Sequence, residues 1–243
     1  MKDYTVFVLP DTHVPFHDKK AFALALKVIR GEQPDEVVCL GDFADFLAVS
    51  SHPKSFGYTP DLKGELKEVR KAWAQLEEAQ GSRKLTLLEG NHESRLTRYV
   101  ASKAPAVEDI TPSLPALFGV KKRTKFVPYQ EMYNVRHVAY VHDVGHAGKQ
   151  ATHQSVDAAG QCIVLGHTHR LSVAYTGTTN GSRHFGLSCG WLGDSREVKY
   201  MSPAKTREWQ LGFGMVEYRG DLAFAHAIPI VNNTCYVNQK VYK

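Results

Sequence analysis

Residues 85–93 read Leu-Thr-Leu-Leu-Glu-Gly-Asn-His-Glu, and the fold prediction begins from this stretch. The apolar run Leu85–Leu88 predicts a short buried strand, and Gly90 is expected to make the turn by which the chain leaves it. An amide and an imidazole, Asn91 and His92, then stand side by side where the strand emerges. Burial of polar groups costs free energy unless partners satisfy them, so this arrangement indicates a functional site.

The residues on both sides of this stretch alternate between short apolar runs and amphipathic helices. Asp18 and Asp61 are placed to cap the first two helices, and Glu93–Ala101 predicts a third. The order strand, helix, strand predicts parallel pairing with a right-handed crossover. The chain is expected to fray after Asn232. The predicted strands are Tyr4–Leu9, Glu36–Leu40, Lys84–Leu88, Val135–Val141, Cys162–Leu165, Leu171–Thr176, Arg183–Ser188, Gly214–Tyr218 and Leu222–Ile228.

Length and composition fit one large α/β domain over residues 1–243, with 43% hydrophobic and 23% charged residues. No apolar run approaches the roughly 20 residues needed to span a bilayer. No signal sequence is recognisable, so a cytoplasmic protein without membrane contact is expected. The four cysteines form no CxxC pair, which favours reduced, buried thiols over a zinc knuckle or a disulfide framework. The composition carries no signature of a particular oligomeric state.

Polar clusters follow the predicted strands, at the positions where open α/β sheets bind their ligands. Their motif residues include carboxylates, an amide and imidazoles, a mixed oxygen and nitrogen set that suits manganese, iron, nickel or zinc better than magnesium alone. Two ions that share a carboxylate, roughly 3.5 to 4 Å apart, form a clamp for displacement at phosphorus. The clusters are Asp11-Thr12-His13, Gly41-Asp42-Phe43-Ala44-Asp45, Gly90-Asn91-His92-Glu93, Val141-His142-Asp143 and Gly166-His167-Thr168-His169.

These clusters and their order resemble the calcineurin-like metallophosphoesterase superfamily, whose motifs are DxH, GDxxD, GNH(E/D), H and GHxH. The continuation Ser94-Arg95 after the third motif is similar to a subgroup found in phage and bacteria, which for a phage protein implies the host cytoplasm. The resemblance implies a four-layered α/β/β/α sandwich of two mixed sheets flanked by helices. It also implies two divalent transition-metal ions, with manganese the first choice and iron, nickel or zinc as alternatives.

The resemblance also assigns roles to individual residues. His92 is left without a metal and serves as the general acid or polarises the phosphate, and hydroxide that bridges the metals attacks phosphorus. An unperturbed imidazole has a pKa near 6.5, so His92 is expected to hold a proton at neutral pH. The resemblance implies that Asp11, His13 and His169 bind the first metal, that Asn91, His142 and His167 bind the second, and that Asp42 bridges both.

Several assignments have alternatives that the residues leave open. His146 lies four residues after His142 and competes with it as the ligand of the fourth motif, although His142 directly ends its strand. Asp45 is expected to orient a histidine rather than to bind metal. Glu93 is expected to be a charge at the start of a helix. Arg95 either contacts a phosphate oxygen, as one of the catalytic residues with His92 and Asp42, or makes a salt bridge on the helix surface.

Two irregular segments, residues 43–60 and 103–129, are expected to act as loops or caps that shape the pocket, and the second predicts a short helix near Leu114–Phe118. The second contains the basic cluster Lys121–Lys125, which is either a solvated face or a contact for a nucleic-acid backbone.

The function expected from the sequence is hydrolysis of a phosphate mono- or diester, with a nucleotide or nucleic-acid ester as the first choice of substrate. Phe46-Leu47 follows Asp45 where protein Ser/Thr phosphatases of the superfamily carry Arg-Gly, so phosphoproteins are disfavoured. One alternative is a nuclease that acts on polymeric DNA or RNA. An alternative from another class is a binding or scaffold protein that keeps the fold without turnover.

Overall fold

The structure is a computed structural model that describes residues 2–54, 56–198 and 206–243, so residue 55 of the expected loop 43–60 lies outside it. The helices are α1 (Lys19–Glu32), α2 (Leu62–Gln80), α3 (Ser94–Lys103), α4 (Leu114–Phe118) and α5 (Ala151–Ala159), with short 3-10 turns at Leu47–Val49 and Pro105–Ile110. The strands are β1 (Tyr4–Leu9), β2 (Glu36–Cys39), β3 (Lys84–Leu88), β4 (Lys125–Val127), β5 (Tyr133–Val135), β6 (Val138–Val141), β7 (Cys162–Leu165), β8 (Leu171–Gly177), β9 (Arg183–Cys189), β10 (Gly212–Arg219), β11 (Leu222–Pro229), β12 (Cys235–Val237) and β13 (Lys240–Tyr242).

The strands form two mixed sheets and a separate hairpin. The first sheet has the order β11-β10-β1-β2-β3-β4, in which β1 to β4 are parallel and β10 and β11 are antiparallel to their neighbours. The second sheet has the order β5-β6-β7-β9-β8, with β6, β7 and β9 parallel. Strands β12 and β13 pair as the hairpin.

The chain forms four layers: helices α1 and α2, the first sheet, the second sheet and helix α5. An apolar cluster fills each of the three spaces between them. Strand β1 shows why, because its residues alternate between two cores: Phe7 packs towards α1 and α2, whereas Val8 packs towards the second sheet. A third cluster, which includes Val156 and Ile163, joins the second sheet to α5. Parallel strands covered on both faces carry continuous apolar runs, which is the pattern of the sequence here. The expected α/β/β/α sandwich is therefore confirmed.

Local signals in the sequence account for many of the element boundaries. Helix α1 begins where the Asp18 carboxylate accepts hydrogen bonds from the backbone N–H groups of Lys20 and Ala21. Helix α2 begins after Asp61 and ends at Gly81, as expected. The predicted hairpin forms from β8 and β9, with Asn180-Gly181 in its turn region.

Four features differ from expectation. The run Val135–Val141 is two strands, β5 and β6, because Arg136 adopts a left-handed backbone (φ 53°) that turns the chain. Helix α5 is unexpected, since its apolar face is short. The chain after Asn232 does not fray, because β12 and β13 pair and Tyr242 packs against Gly31 of α1. Within 103–129, β4 extends the first sheet, whereas the short helix predicted near Leu114–Phe118 does form, as α4, and packs on α2.

No helix in the described ranges is both long and apolar enough to cross a membrane. All four cysteines are buried and unbridged, as expected.

Candidate metal centre

The polar clusters meet where the loops after β1, β2, β3, β6 and β7 leave the two sheets. Parallel strands end at the same edge of a sheet, so their exit loops are brought together although they are far apart in sequence. Within the described part of the chain, three groups of side chains have ligand atoms within 4.8 Å of one another. The groups are Asp11, His13 and His169; His13, Asp42 and His92; and Asp42, His142 and His167.

The first group converges on one point. His13 Nε2 and His169 Nε2 lie 3.0 Å apart, and Asp11 Oδ1 lies 3.6 Å from His169 Nε2. Two histidines on one ion, with metal–nitrogen bonds of about 2.0 to 2.1 Å, would have their nitrogens about 3 Å apart. His13 is held in place from behind, because its Nδ1 lies 3.1 Å from Asp45 Oδ2. The geometry therefore fits a shared cation.

The group of Asp42, His142 and His167 has the same character, and Asn91 lies beside it. Asn91 Oδ1 lies 2.9 Å from His142 Nε2 and 2.7 Å from His167 Nδ1, so the amide oxygen and both ring nitrogens face one another. His142 Nδ1 lies 3.0 Å from the carbonyl oxygen of Leu40, which fixes the ring with Nε2 towards Asn91, the nitrogen that would bind a metal in exchange for its proton. Among the described residues His146 belongs to no such group, so the fourth motif is represented by His142.

Asp42 stands between the two groups. Its Oδ2 lies 3.4 Å from His142 Nε2 on one side and 3.9 Å from His13 Nε2 on the other. Its Oδ1 accepts a hydrogen bond of 2.8 Å from the backbone N–H of His92. One oxygen thus faces both sets of ring nitrogens, which is the placement expected of a bridging carboxylate.

The backbone at this site is held in uncommon conformations. His13, Asp42, His167 and His169 all have φ between 47° and 63°, in the left-handed region that non-glycine residues rarely occupy. Such conformations cost of order 1 to 3 kcal/mol each and persist where the surrounding structure holds them. Four of them among the proposed ligands indicate that the site is built for a purpose other than stability.

Glycines in the motifs allow close approach of the loops. A Cβ at Gly90 would lie 2.3 Å from the backbone nitrogen of Asp42, and one at Gly166 would lie 2.5 Å from Asp11 Oδ2. Gly90 is not among the residues with positive φ. A turn does begin at Gly90, whose carbonyl oxygen accepts a hydrogen bond from the N–H of Ser94 (3.2 Å), but a glycine is needed there because its missing side chain gives Asp42 room.

Glu93 has a different role from the expected one. Helix α3 starts after it, but its carboxylate does not cap that helix. The carboxylate instead accepts hydrogen bonds from the backbone N–H groups of Asp42 (2.8 Å), Ala44 (2.8 Å) and Gly90 (2.9 Å). The side chain is buried and joins the loop after β2 to the loop after β3. Glu93 therefore holds Asp42 and Asn91 in register without facing a metal.

Replacing Glu93 by alanine is expected to destabilise the fold by about 3 kcal/mol or more. Three buried N–H groups would lose their acceptor, and each such group costs about 1 to 3 kcal/mol. Urea denaturation of the metal-free protein measures the change. Glu78→Ala, which removes an exposed carboxylate from α2, is the matched control and should change stability by less than about 0.5 kcal/mol. Equal stability of the two variants would contradict the role of Glu93.

His92 is surrounded by Asp45 and Arg95. Its Nδ1 lies 3.0 Å from the carbonyl oxygen of Asp45, and its Nε2 lies 2.8 Å from Arg95 Nη2. An arginine can only donate, so Nε2 accepts and the ring is neutral with its hydrogen on Nδ1. His92 also lies near the centre, since its Nε2 is 3.8 Å from Asp42 Oδ2 and it forms a group with His13 and Asp42. Because both of its nitrogens have other partners, in Asp45 and Arg95, we place it outside the two proposed ligand sets.

This arrangement bears on the expectations for His92 and Arg95. The Arg95 guanidinium donates to His92 Nε2 and so occupies the place of the second proton that was expected on the ring, and burial lowers the pKa of His92 in the same direction. Arg95 has only 11% of its side chain exposed and also donates to the carbonyl oxygen of Asp45 (3.0 Å). It lies inside the site, where its Nη1 also pairs with Asp45 Oδ1 (3.4 Å).

The electrostatics of the centre favour cations. Burial would raise the pKa of Asp42, but the imidazoles of His142 and His92 hold it well below its usual range. Burial would lower the pKa of His142, but the charge of Asp42 raises it to about 10. Burial lowers the pKa of His169 to about 4. Ionised carboxylates in a buried place require a positive partner, which protons or metal ions supply.

The loop 43–60 lies over Glu65, a buried carboxylate on α2. Burial and the charge of Asp45 raise the pKa of Glu65 to about 7, against the opposing effect of backbone N–H groups at Phe46, Leu47 and Ala48. Glu65 Oε1 has no hydrogen-bond partner. The loop 43–60 therefore packs over the Glu65 carboxyl group, which is protonated below about pH 7.

A pH dependence of stability follows from this raised pKa. The stability that protonated Glu65 contributes is fully present below its unfolded pKa of 4.5 and is lost as pH rises through about 7. Relative to Glu65→Gln, the metal-free wild type should lose up to about 3 kcal/mol of stability between pH 5 and pH 8. Urea denaturation of both proteins at each pH tests this. A constant difference between them would contradict the shift.

Basic residues of the cluster Lys121–Lys125 lie away from the centre. Lys121 Nζ pairs with Glu77 (3.1 Å), and Lys125 Nζ lies over the ring of Tyr133 (4.5 Å). Tyr133 itself bonds Lys84 at the start of β3, which is the opposite end of the strand from Asn91. The cluster therefore gives no support to a nucleic-acid contact at the metal centre.

Sequence reasoning missed Trp191 and Trp209, which lie against the first ligand group. The ring of Trp191 stacks on His169 (centroids 4.9 Å apart, 15° between planes), and Trp209 stands nearly perpendicular to His169 (4.3 Å, 85°). Neither residue belongs to a motif, so only the tertiary structure reveals them.

A family model for calcineurin-like phosphoesterases matches residues 4–201. The chain belongs to the calcineurin-like phosphoesterase family. Across 98% of both chains it is 26% identical to the Gene 54 protein of Mycobacterium phage D29 and 25% identical to that of Mycobacterium phage L5. The family binds divalent metals, and the aspartate and histidine groups described above fit such a site.

The fold is also found among solved structures of low sequence similarity. Vacuolar protein sorting 29 from Cryptosporidium parvum superimposes with a TM-score of 0.54 at 13% identity, covering 99% of this chain and 98% of that one. Vps29 of Chaetomium thermophilum gives 0.51 at 10% identity, covering 94% of this chain and 86% of that one. At these identities the likeness shows the fold alone.

Proposed function

We propose that the protein is a two-metal phosphoesterase that hydrolyses a phosphate mono- or diester, with nucleotide or nucleic-acid esters as the preferred substrates. One observation carries this proposal: two sets of ring nitrogens and carboxylate or amide oxygens converge at about 3 Å, and Asp42 Oδ2 faces both.

The donor sets name the residues that hold the ions. The nitrogen and oxygen mixture suits manganese, with iron, nickel or zinc as alternatives. When bound, the two cations would lower the pKa of water and offset the negative charge that builds on the phosphoryl group. The first set is Asp11, His13 and His169, the second is Asn91, His142 and His167, and Asp42 belongs to both.

The remaining side chains position these groups and handle protons. The Asp45 carboxylate accepts a hydrogen bond from His13 Nδ1, which keeps the Nε2 lone pair of His13 directed towards the centre. His92 Nε2 carries no hydrogen in this arrangement, so Arg95 has to release this nitrogen and the ring has to take up a proton from water before His92 supplies that proton to the leaving oxygen. The Arg95 guanidinium, once released, is placed to donate to a phosphate oxygen. His92, Asp42 and Arg95 are therefore the proposed catalytic residues.

A panel of esters tests the function. Purified protein is incubated with manganese, iron, nickel or zinc and with p-nitrophenyl phosphate, bis(p-nitrophenyl) phosphate and nucleotides. Hydrolysis that needs metal and disappears with chelator is expected. A nuclease would degrade linear and circular DNA, and a scaffold would leave every ester intact. The phage relatives support action in a host cytoplasm.

A further inference from the structure

A cavity of about 290 Å³ opens directly beside the first ligand group. His13, Asp45 and His169 form part of its lining, so a molecule bound there would touch the proposed metal site. Pockets for small ligands span roughly 300 to 1,000 Å³, which makes this one the size for a single ring system. Its remaining lining is dominated by what we call the aromatic pocket: Phe16, Phe56, Tyr58, Trp191 and Trp209.

One wall of the aromatic pocket is fixed. Trp191 is 3% exposed, and a Cβ at Gly193 would lie within 2.2 Å of its ring, so the indole is clamped between that glycine and His169. Trp209 packs on it with centroids 4.8 Å apart. The N–H of Gln210 donates to the carbonyl oxygen of His169 (3.0 Å), which ties Trp209 to the ligand loop. Trp209 remains only partly buried.

The facing wall belongs to the loop 43–60. Phe56 there is fully exposed, and Tyr58 beside it is partly buried. A single exposed phenylalanine is ordinary on a protein surface, but this one lines the same cavity as two tryptophans. Aromatic side chains gain by stacking on a further ring, so the two walls together fit a flat apolar group.

Charged side chains of both signs accompany the rings. Lys54 lines the cavity, and its Nζ is held by the backbone carbonyl oxygens of Ser50 and His52. Burial lowers the pKa of Lys54, and the guanidinium of Arg95 lowers it further, which places two cationic side chains near each other. Because Asp45 and Glu197 also line the cavity, the charges around the rings are mixed, and the feature that selects a ligand is the planar aromatic lining.

We propose that the aromatic pocket binds the ring of a phosphate ester whose phosphate lies at the metal centre, so that aryl or nucleoside esters are selected over alkyl esters. This proposal rests on the proposed function, because it names the organic group of the same substrate. Base stacking on aromatic side chains tolerates every base, since every base has a flat face.

Removal of the rings tests the proposal by a ratio of rates. Trp209→Leu and Phe56→Leu keep an apolar side chain but lose the ring. For each, kcat/KM is measured for phenyl phosphate, for adenosine 5′-monophosphate and for a fluoroalkyl phosphate whose alcohol has an acidity similar to that of phenol. The ratio of ring ester to alkyl ester should fall about tenfold. Tyr175→Leu, which removes a distant exposed ring from β8, should leave the ratio unchanged.

A binding measurement separates this proposal from the function. Metal-free protein is titrated with phenyl phosphate, adenosine 5′-monophosphate, the fluoroalkyl phosphate and inorganic phosphate while tryptophan fluorescence is followed. Trp73 is buried in the core, so changes report Trp191 and Trp209. Quenching by phenyl phosphate alone assigns the pocket to aryl esters, and quenching by the nucleotide assigns it to nucleosides.

The two proposals fail in different ways. If wild-type protein with metal hydrolysed none of the esters, the proposed function would fall, while ring-specific quenching would still establish the pocket. If hydrolysis occurred but the ratio stayed unchanged in both variants, or if no ring compound quenched fluorescence, the aromatic pocket would be wrong and the function would stand.

Discussion

Asp42→Ala is expected to lose bound metal and to reduce phosphoesterase turnover by at least about a thousandfold. Asp42 Oδ2 faces His13 Nε2 and His142 Nε2, and no other carboxylate lies in both proposed ligand sets. A metal in such a site contributes several kcal/mol of charge stabilisation, and about 1.4 kcal/mol corresponds to tenfold in rate. Elemental analysis and a rate measurement on the same sample give both quantities.

Two further variants separate loss of metal from loss of fold. Asp42→Asn keeps an acceptor for the N–H of His92 and removes only the charge, so it should remain folded and still lose metal. Asp157→Ala removes a carboxylate from the exposed face of α5 and should retain both metals and full turnover. Two metals per chain in folded Asp42→Ala would contradict the bridging role.

His92→Ala is expected to keep both metals and to lose turnover by about 10² to 10⁴, the usual range for a general acid or base. Its ring nitrogens face Asp45 and Arg95 and leave the ligand sets intact. The loss should be larger for esters with poor leaving groups, because these need a proton most. A series of aryl phosphates with leaving groups of graded pKa measures the dependence.

An exposed histidine provides the control for this variant. His226→Ala, on β11, should match the wild type across the whole series, since its side chain is 45% exposed and its near partner is Glu217. Equal losses for good and poor leaving groups in His92→Ala would contradict the acid role. Loss of metal in His92→Ala would make His92 a ligand.

The fold was predictable where local signals and burial agree. Strands β1, β3 and β7 occupy the predicted residues, because continuous apolar runs bounded by glycine or proline have few other structures open to them. The end of the chain was not predictable, since β12 and β13 depend on packing against α1 rather than on an apolar pattern of their own. The turn at Arg136 likewise depends on the antiparallel pairing of β5 with β6.

The residues of the candidate site were predictable, but the hydrogen bonds and packing contacts between them were not. The order of the motifs placed Asp11 and His169 together across most of the chain, as the structure has them. The sequence predicts Glu93 as a charge at the start of a helix. Its actual partners, the N–H groups of the loop after β2, are distant in sequence and give no local signal. Trp209 carries no motif, and its contact with His169 arises only from tertiary packing.

A manganese titration tests the central claim most directly. Metal-free protein receives increasing manganese while hydrolysis of p-nitrophenyl phosphate and of its bis ester is followed. A two-metal phosphoesterase predicts that hydrolysis of at least one of them starts from none and rises to a plateau at two equivalents per chain. Folded protein that hydrolyses neither ester at saturating manganese, or that is fully active without metal, would contradict it.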